Sequence, residues 1–134
     1  MISRLCTVGM LLVLMAGCGT SGPQMAAVSG TVTLDGNPVS DAIVEFTPEK
    51  GRPSRGVTDD AGRYDLSYTQ DQMGAVVGVH KVKIMTGREE ATLEGEVVQE
   101  AVIEMIPLQY NVNSTLTADV KGASKDVDFK LLSK

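Results

Sequence analysis

From residue 28 onward, apolar and polar side chains alternate with a period of two, in short runs separated by Gly-, Asp- and Pro-bearing turns. Alternation of this kind puts one face of each run into a core and the other into water. The body therefore reads as all-β, a sandwich or barrel. In the run 28–34, Val28, Val32 and Leu34 are assigned to the core and Thr31 and Thr33 to solvent. Asp35-Gly36 supplies the positive φ angles of a tight turn, and Pro38 is expected to stop the ladder. Ala42, Val44 and Phe46 point inward from the next run, with Glu45 and Thr47 outward and Ile43 left as a partner contact or edge residue.

Residues 49–55 are polar and broken by Gly51 and Pro53, so they read as a loop leading to a strand at 56–58. After a turn at 59–62, Tyr64, Leu66 and Tyr68 share one face. A second loop, 69–78, precedes a strand at 79–84 in which Val82 and Ile84 are core and Lys81 and Lys83 are outward. The last two strands are placed at 115–120 and 126–132, with Leu116, Ala118 and Val120 on one face and Val127, Phe129 and Leu131 on another. Residues 89–104 break the pattern. They hold Glu89, Glu90, Glu94, Glu96, Glu100 and Glu104 with no basic residue, and Leu93, Val97, Ala101 and Met105 recur every four positions. That spacing predicts a short amphipathic helix docked by its apolar stripe, although Gly95 weakens it and 97–106 could instead hold a strand.

The string Ser29-Gly30-Thr31-Val32, Asp35-Gly36-x-Pro38-Val39, Ala42-x-Val44-x-Phe46, Thr58-Asp59-x-x-Gly62-x-Tyr64-x-Leu66 and Gly78-x-His80-x-Val82 resembles the carboxypeptidase regulatory-like domain. The segment Ile106-Pro107-x-x-Tyr110-Asn111, with Ser114-x-Leu116 and Val127-x-Phe129, resembles small bacterial lipoproteins that carry this domain alone. The resemblance implies a seven-stranded prealbumin-like (Ig-like) β-sandwich acting as an accessory cell-envelope module. It implies no ligand and no cofactor.

The N-terminus carries an address. One basic residue, Arg4, precedes a mostly apolar run over 5–16, too short at about 18 Å of helix to cross the roughly 30 Å hydrocarbon slab. It reads as a signal peptide, 1–17. Leu14-Met15-Ala16-Gly17-Cys18 resembles a bacterial lipobox, with Met15 where Leu is usual. Lipidation of Cys18 would anchor the chain to a membrane, with 18–27 as a flexible tether and 28–134 as the domain. Gly19 is not the Asp that retains such proteins in an inner membrane, which favours the outer one.

Composition narrows the function. With 12 basic and 17 acidic residues the formal charge is −5, which gives nucleic acid no electrostatic foothold. Both cysteines, Cys6 and Cys18, lie in the leader region, so the domain has no disulfide framework or multi-cysteine metal site. The single histidine, His80, shares the inward face of Val82 and Ile84 and is assigned a half-buried packing role. A hydroxyisourate hydrolase on the same fold would need several His and Arg residues and a different C-terminus, so no enzyme is expected.

Asp59-Asp60-x-Gly62-x-x-Asp65 invites a calcium reading, but its spacing is not that of an EF-hand. Residues 89–104 are either a solvated connector or an acidic docking surface for a basic partner or loosely held cations. Tyr64, Tyr68 and Phe46 are assigned to the core, which leaves Tyr110 as the one aromatic for a glycan. The expected function is a non-catalytic envelope lipoprotein with an envelope protein or polysaccharide partner. The alternative is a secreted or periplasmic binder of a cation or glycan.

Overall fold

A computed structural model of the chain describes position 17 and residues 22–134. Apart from Gly17, the expected signal peptide and the lipidation site Cys18 lie outside the described residues. Twelve strands occur in the order β1 Met25–Ala26, β2 Ser29–Leu34, β3 Asn37–Pro38, β4 Ile43–Pro48, β5 Ser54–Val57, β6 Arg63–Asp65, β7 Ala75–Val76, β8 Gly78–Met85, β9 Ala91–Leu93, β10 Glu96–Gln99, β11 Thr117–Val120 and β12 Phe129–Leu131. The one helical element among the described residues is a 3₁₀ turn at Leu108–Tyr110.

Two larger sheets pack on one another. One runs β11-β8-β4-β5, all antiparallel. In the other, β2 is central, with β12 parallel on one side and β6 and β3 antiparallel on the other. Val44, Phe46, Val82 and Ile84 from the first sheet meet Val32, Tyr64 and Leu131 from the second, all essentially buried. An aromatic cluster spans the interface. Phe46 lies 5.6 Å from His80 and 6.1 Å from Phe129 between ring centroids, and Phe129 lies 6.4 Å from Tyr64.

Within the second sheet the segment leading into β12 comes unusually close to β2 at Gly30, where a Cβ would sit 1.9 Å from the Val127 carbonyl oxygen. That carbonyl accepts a 2.6 Å hydrogen bond from the Tyr64 hydroxyl. Burial, with Asp128 nearby, pushes the Tyr64 pKa up, so the phenol stays a donor.

Several expectations are corrected. Each of the seven strands expected from the alternation has a counterpart, and five short strands are present besides, twelve in all among the described residues. Pro38 does not stop the ladder: it pairs with Thr33, and the Val39 amide still donates to the Val32 carbonyl. On an edge strand a missing N–H costs little. β5 begins at Ser54, so part of the expected 49–55 loop is strand. Tyr68 is not core. It is half-buried beneath the Arg52 guanidinium, 5.5 Å above its ring.

The stretch read as a flexible tether contains β1, which pairs with β7, and the Gln24 carbonyl accepts from Val77. The folded body thus begins before residue 28. His80 is fully rather than half buried, and its Nε2 donates to the Val76 carbonyl at 2.6 Å.

Sheet directions define two ends. β1, β7, the β4–β5 turn and the loop after β11 cluster where β8 starts. The Asp35-Gly36 turn, the turn at 59–62, the 3₁₀ turn and the C-terminus cluster where β8 finishes. Eight residues at about 3.3 Å separate the ends by about 26 Å.

Candidate functional site

The most unusual part of the molecule leaves the sheets at the far end of β8. Residues 89–104 form neither a helix nor a docked stripe. β9 and β10 make a two-stranded hairpin, pairing Leu93 with Glu96 and Thr92 with Val97, with an irregularity between Val97 and Gln99. Its turn is Glu94-Gly95, with φ of 52° and 83°. A two-residue turn with both residues left-handed suits the right-handed twist of a hairpin, and Gly is the natural second residue. Gly95 is therefore the tip of a hairpin and not a flaw in a helix.

Every residue from 89 to 103 is exposed. The apolar positions expected to dock do not: Leu93 is 65% exposed and Met105 72%. Neither strand pairs with a third among the described residues.

The six glutamates divide. Glu89, Glu90, Glu94, Glu96 and Glu100 are exposed on the hairpin and its flanks, and none forms an ion pair among the described residues. Glu104 is different and must be withdrawn from the docking surface. One of its carboxylate oxygens accepts from the Thr86 amide at 3.0 Å, the Thr86 hydroxyl at 2.9 Å and the Ile106 amide at 2.8 Å, while the other accepts from the Gly87 amide at 3.1 Å. Burial raises its pKa, but these donations outweigh it and leave the carboxyl below its ordinary value. The side chain is a clasp that closes the base of the excursion between Thr86 and Ile106. Above it, Arg88 and Val102 exchange backbone hydrogen bonds, and the Arg88 guanidinium donates to the Asp41 carbonyl at 2.6 Å.

Tyr110 is likewise not free for a glycan. It packs against the core, and its hydroxyl accepts from the Leu132 amide at 3.0 Å, tying down the C-terminal segment. Asp35 adds a second tie by accepting from the Ser133 amide at 3.0 Å. Hydrogen bonds from Ser133 hold the Asp35 carboxyl below its usual range.

The turn considered for calcium has its leading carboxylate already committed. One Asp59 oxygen accepts from the Ala61 and Arg63 amides, both at 2.9 Å, and the other faces the Arg63 guanidinium at 3.3 Å. The Arg63 amide above all holds its pKa down. No cluster of three or more metal-ligating side chains occurs among the described residues.

Two surface features went unread in the sequence. Exposed apolar side chains continue past the hairpin, with Ile103 at 86% and Val112 at 77%. The signal was present in the pairs Val97-Val98 and Val102-Ile103, because adjacent apolar residues on a strand leave one facing outward in either register. The second feature is a mainly apolar groove of about 430 Å³ between the end of β8 and the hairpin base, lined by Met85, Arg88, Val102, Leu108 and Val112, with Lys83 at its side. Compared with known proteins, the chain matches no family model, no curated protein and no solved structure.

Proposed function

We propose that this chain is a non-catalytic cell-envelope lipoprotein, a β-sandwich module anchored through a lipidated Cys18 and serving as a binding or structural element. The observation that carries the reading is the apolar run closing on Leu14-Met15-Ala16-Gly17-Cys18 so close to the first strand. Only positions 19–23 separate Cys18 from Gln24, whose carbonyl is bound to the body. At about 3.5 Å per residue that leash reaches no more than about 21 Å. The end of the body bearing β1 would therefore lie against the bilayer, with the hairpin held away from it.

We further read the two packed sheets as a prealbumin-like sandwich of the carboxypeptidase regulatory-like kind. Its support is the placement of the quoted residues: Ala42, Val44, Phe46, Tyr64, Leu66 and Val82 are core, and Asp59 caps its own turn. His80 is committed to packing against Phe46 and to the Val76 carbonyl.

The test is incorporation of labelled palmitate in the native host with membrane fractionation, comparing the parent with Cys18→Ser. Label and membrane retention that both depend on Cys18 support the anchored module. Label absent from the parent overturns it in favour of an exported, unanchored protein.

A further inference from the structure

We propose that the β9–β10 hairpin is a strand-addition site for an extended, basic segment of a partner protein. An isolated two-stranded hairpin is marginal in water, because it normally needs a third strand or an apolar face against something else. This one has neither. Both outer edges of the ladder are unpaired among the described residues, and residues 89–103 bury nothing. Only its base is secured, by the Glu104 carboxylate and the Arg88–Val102 bridge. A two-stranded ladder with open edges is the geometry that strand addition completes, since the backbone N–H and C=O groups provide the affinity and neighbouring side chains the selectivity.

The side chains indicate which occupant fits. Leu93, Val97 and Val98, between 51% and 65% exposed, offer apolar contact along the ladder. Glu89, Glu90, Glu94, Glu96 and Glu100 lie among them without a cation from the hairpin itself, and the guanidinium nearest its base, Arg88, is spent on the Asp41 carbonyl. A second copy of the chain would bring the same glutamates edge to edge, where like charges opposed across strands are destabilising. Charged edges of this kind protect against self-pairing. A strand alternating Lys or Arg with aliphatic residues meets both demands: its cations face the glutamates and its apolar side chains cover the valines. The far-end loops add Asp35, Asp41 and Asp60, none of them in an ion pair among the described residues. This chemistry stands whether or not Cys18 is acylated, and only the hairpin's distance from a bilayer rests on the anchored reading.

The experiment uses the full-length protein in detergent and a fluorescently labelled octapeptide, four repeats of Lys-Val, with Glu-Val and Lys-Ser octapeptides as controls. The expected result is saturable anisotropy for Lys-Val alone, weakened by salt, with slowed amide exchange confined to residues 91–99. Replacing Glu94, Glu96 and Glu100 together by Lys should weaken Lys-Val binding about tenfold or more and transfer preference to Glu-Val, with the melting temperature of the body unchanged. Failure of Lys-Val to bind overturns the proposal. Equal binding of Lys-Ser without amide protection also overturns it, since that would be diffuse counter-ion attraction. Protection that grows with protein concentration and no peptide would make a second copy the occupant instead. Palmitate labelling of the same preparation keeps failure of the anchor separate from failure of the site.

Discussion

Two hairpins in this molecule turn through the same geometry and have opposite fates. At Asp35-Gly36 the φ angles are 51° and 83°, and at Glu94-Gly95 they are 52° and 83°. The first joins β2 to β3, and β2 buries Val32 completely at the centre of a sheet. The second joins β9 to β10, which bury no side chain. Turn chemistry sets where a chain reverses. Whether the resulting ladder belongs to the core is decided by what lies across from it.

The largest test of this contrast is in the core. Phe46→Ala should cost about 3–5 kcal/mol in urea unfolding, because the ring is fully buried against His80 and Phe129. A cost near zero would mean that the two sheets do not share that core. Next comes the clasp, where Glu104→Ala should cost about 1–3 kcal/mol by stranding the donors at Thr86, Gly87 and Ile106. Its amide-exchange signature should be concentrated in the hairpin.

The same carboxylate gives a pH dependence. Its folded pKa lies below the ordinary glutamate value of about 4.5, so its contribution is present above about pH 4.5 and fades as pH falls through the lower folded value. Glu104→Gln should therefore flatten the acid limb of stability against pH, and an unchanged limb would refute the clasp.

The two turns can be set against each other directly. Gly36→Ala and Gly95→Ala each force a side chain into left-handed backbone at about 1–2 kcal/mol. The first should lower the global midpoint, whereas the second should speed amide exchange only in residues 91–99. Smallest of all, Val97→Ser should move global stability by less than about 0.5 kcal/mol. A larger change would show that the hairpin docks on the body after all.

The alternation from 28 to 84 was legible because Val32, Phe46 and Val82 each have polar neighbours on both sides, and burial follows parity through Val28, Val44 and Ile84 as well. The hairpin was hidden because Leu93, Val97, Ala101 and Met105 happen to fall at a helical interval, a pattern that carries information only when something buries it. Glu94-Gly95 was the better signal, being the counterpart of Asp35-Gly36. The roles of Glu104 and Tyr110 could not be read from the chain. Each rests on a partner distant in sequence, Thr86 for one and Leu132 for the other, and no local pattern announces such a pairing. Of the candidate site, the acidity was visible, and its division into five solvent-facing glutamates and one structural one was not.

The parallel pairing of β12 with β2 has a kinetic consequence. Phe129 aligns with Val32 and Leu131 with Leu34, so a strand near the beginning of the body closes on one near its end. Pairings of such sequence separation pay their loop-closure entropy before any contact rewards it, which slows the search for the native state. More directly, β2 keeps an unsatisfied edge, and the second sheet stays incomplete, until β12 has been made. A chain delayed in this way stays open and threadable for as long as the residues between β2 and β12 are still being added.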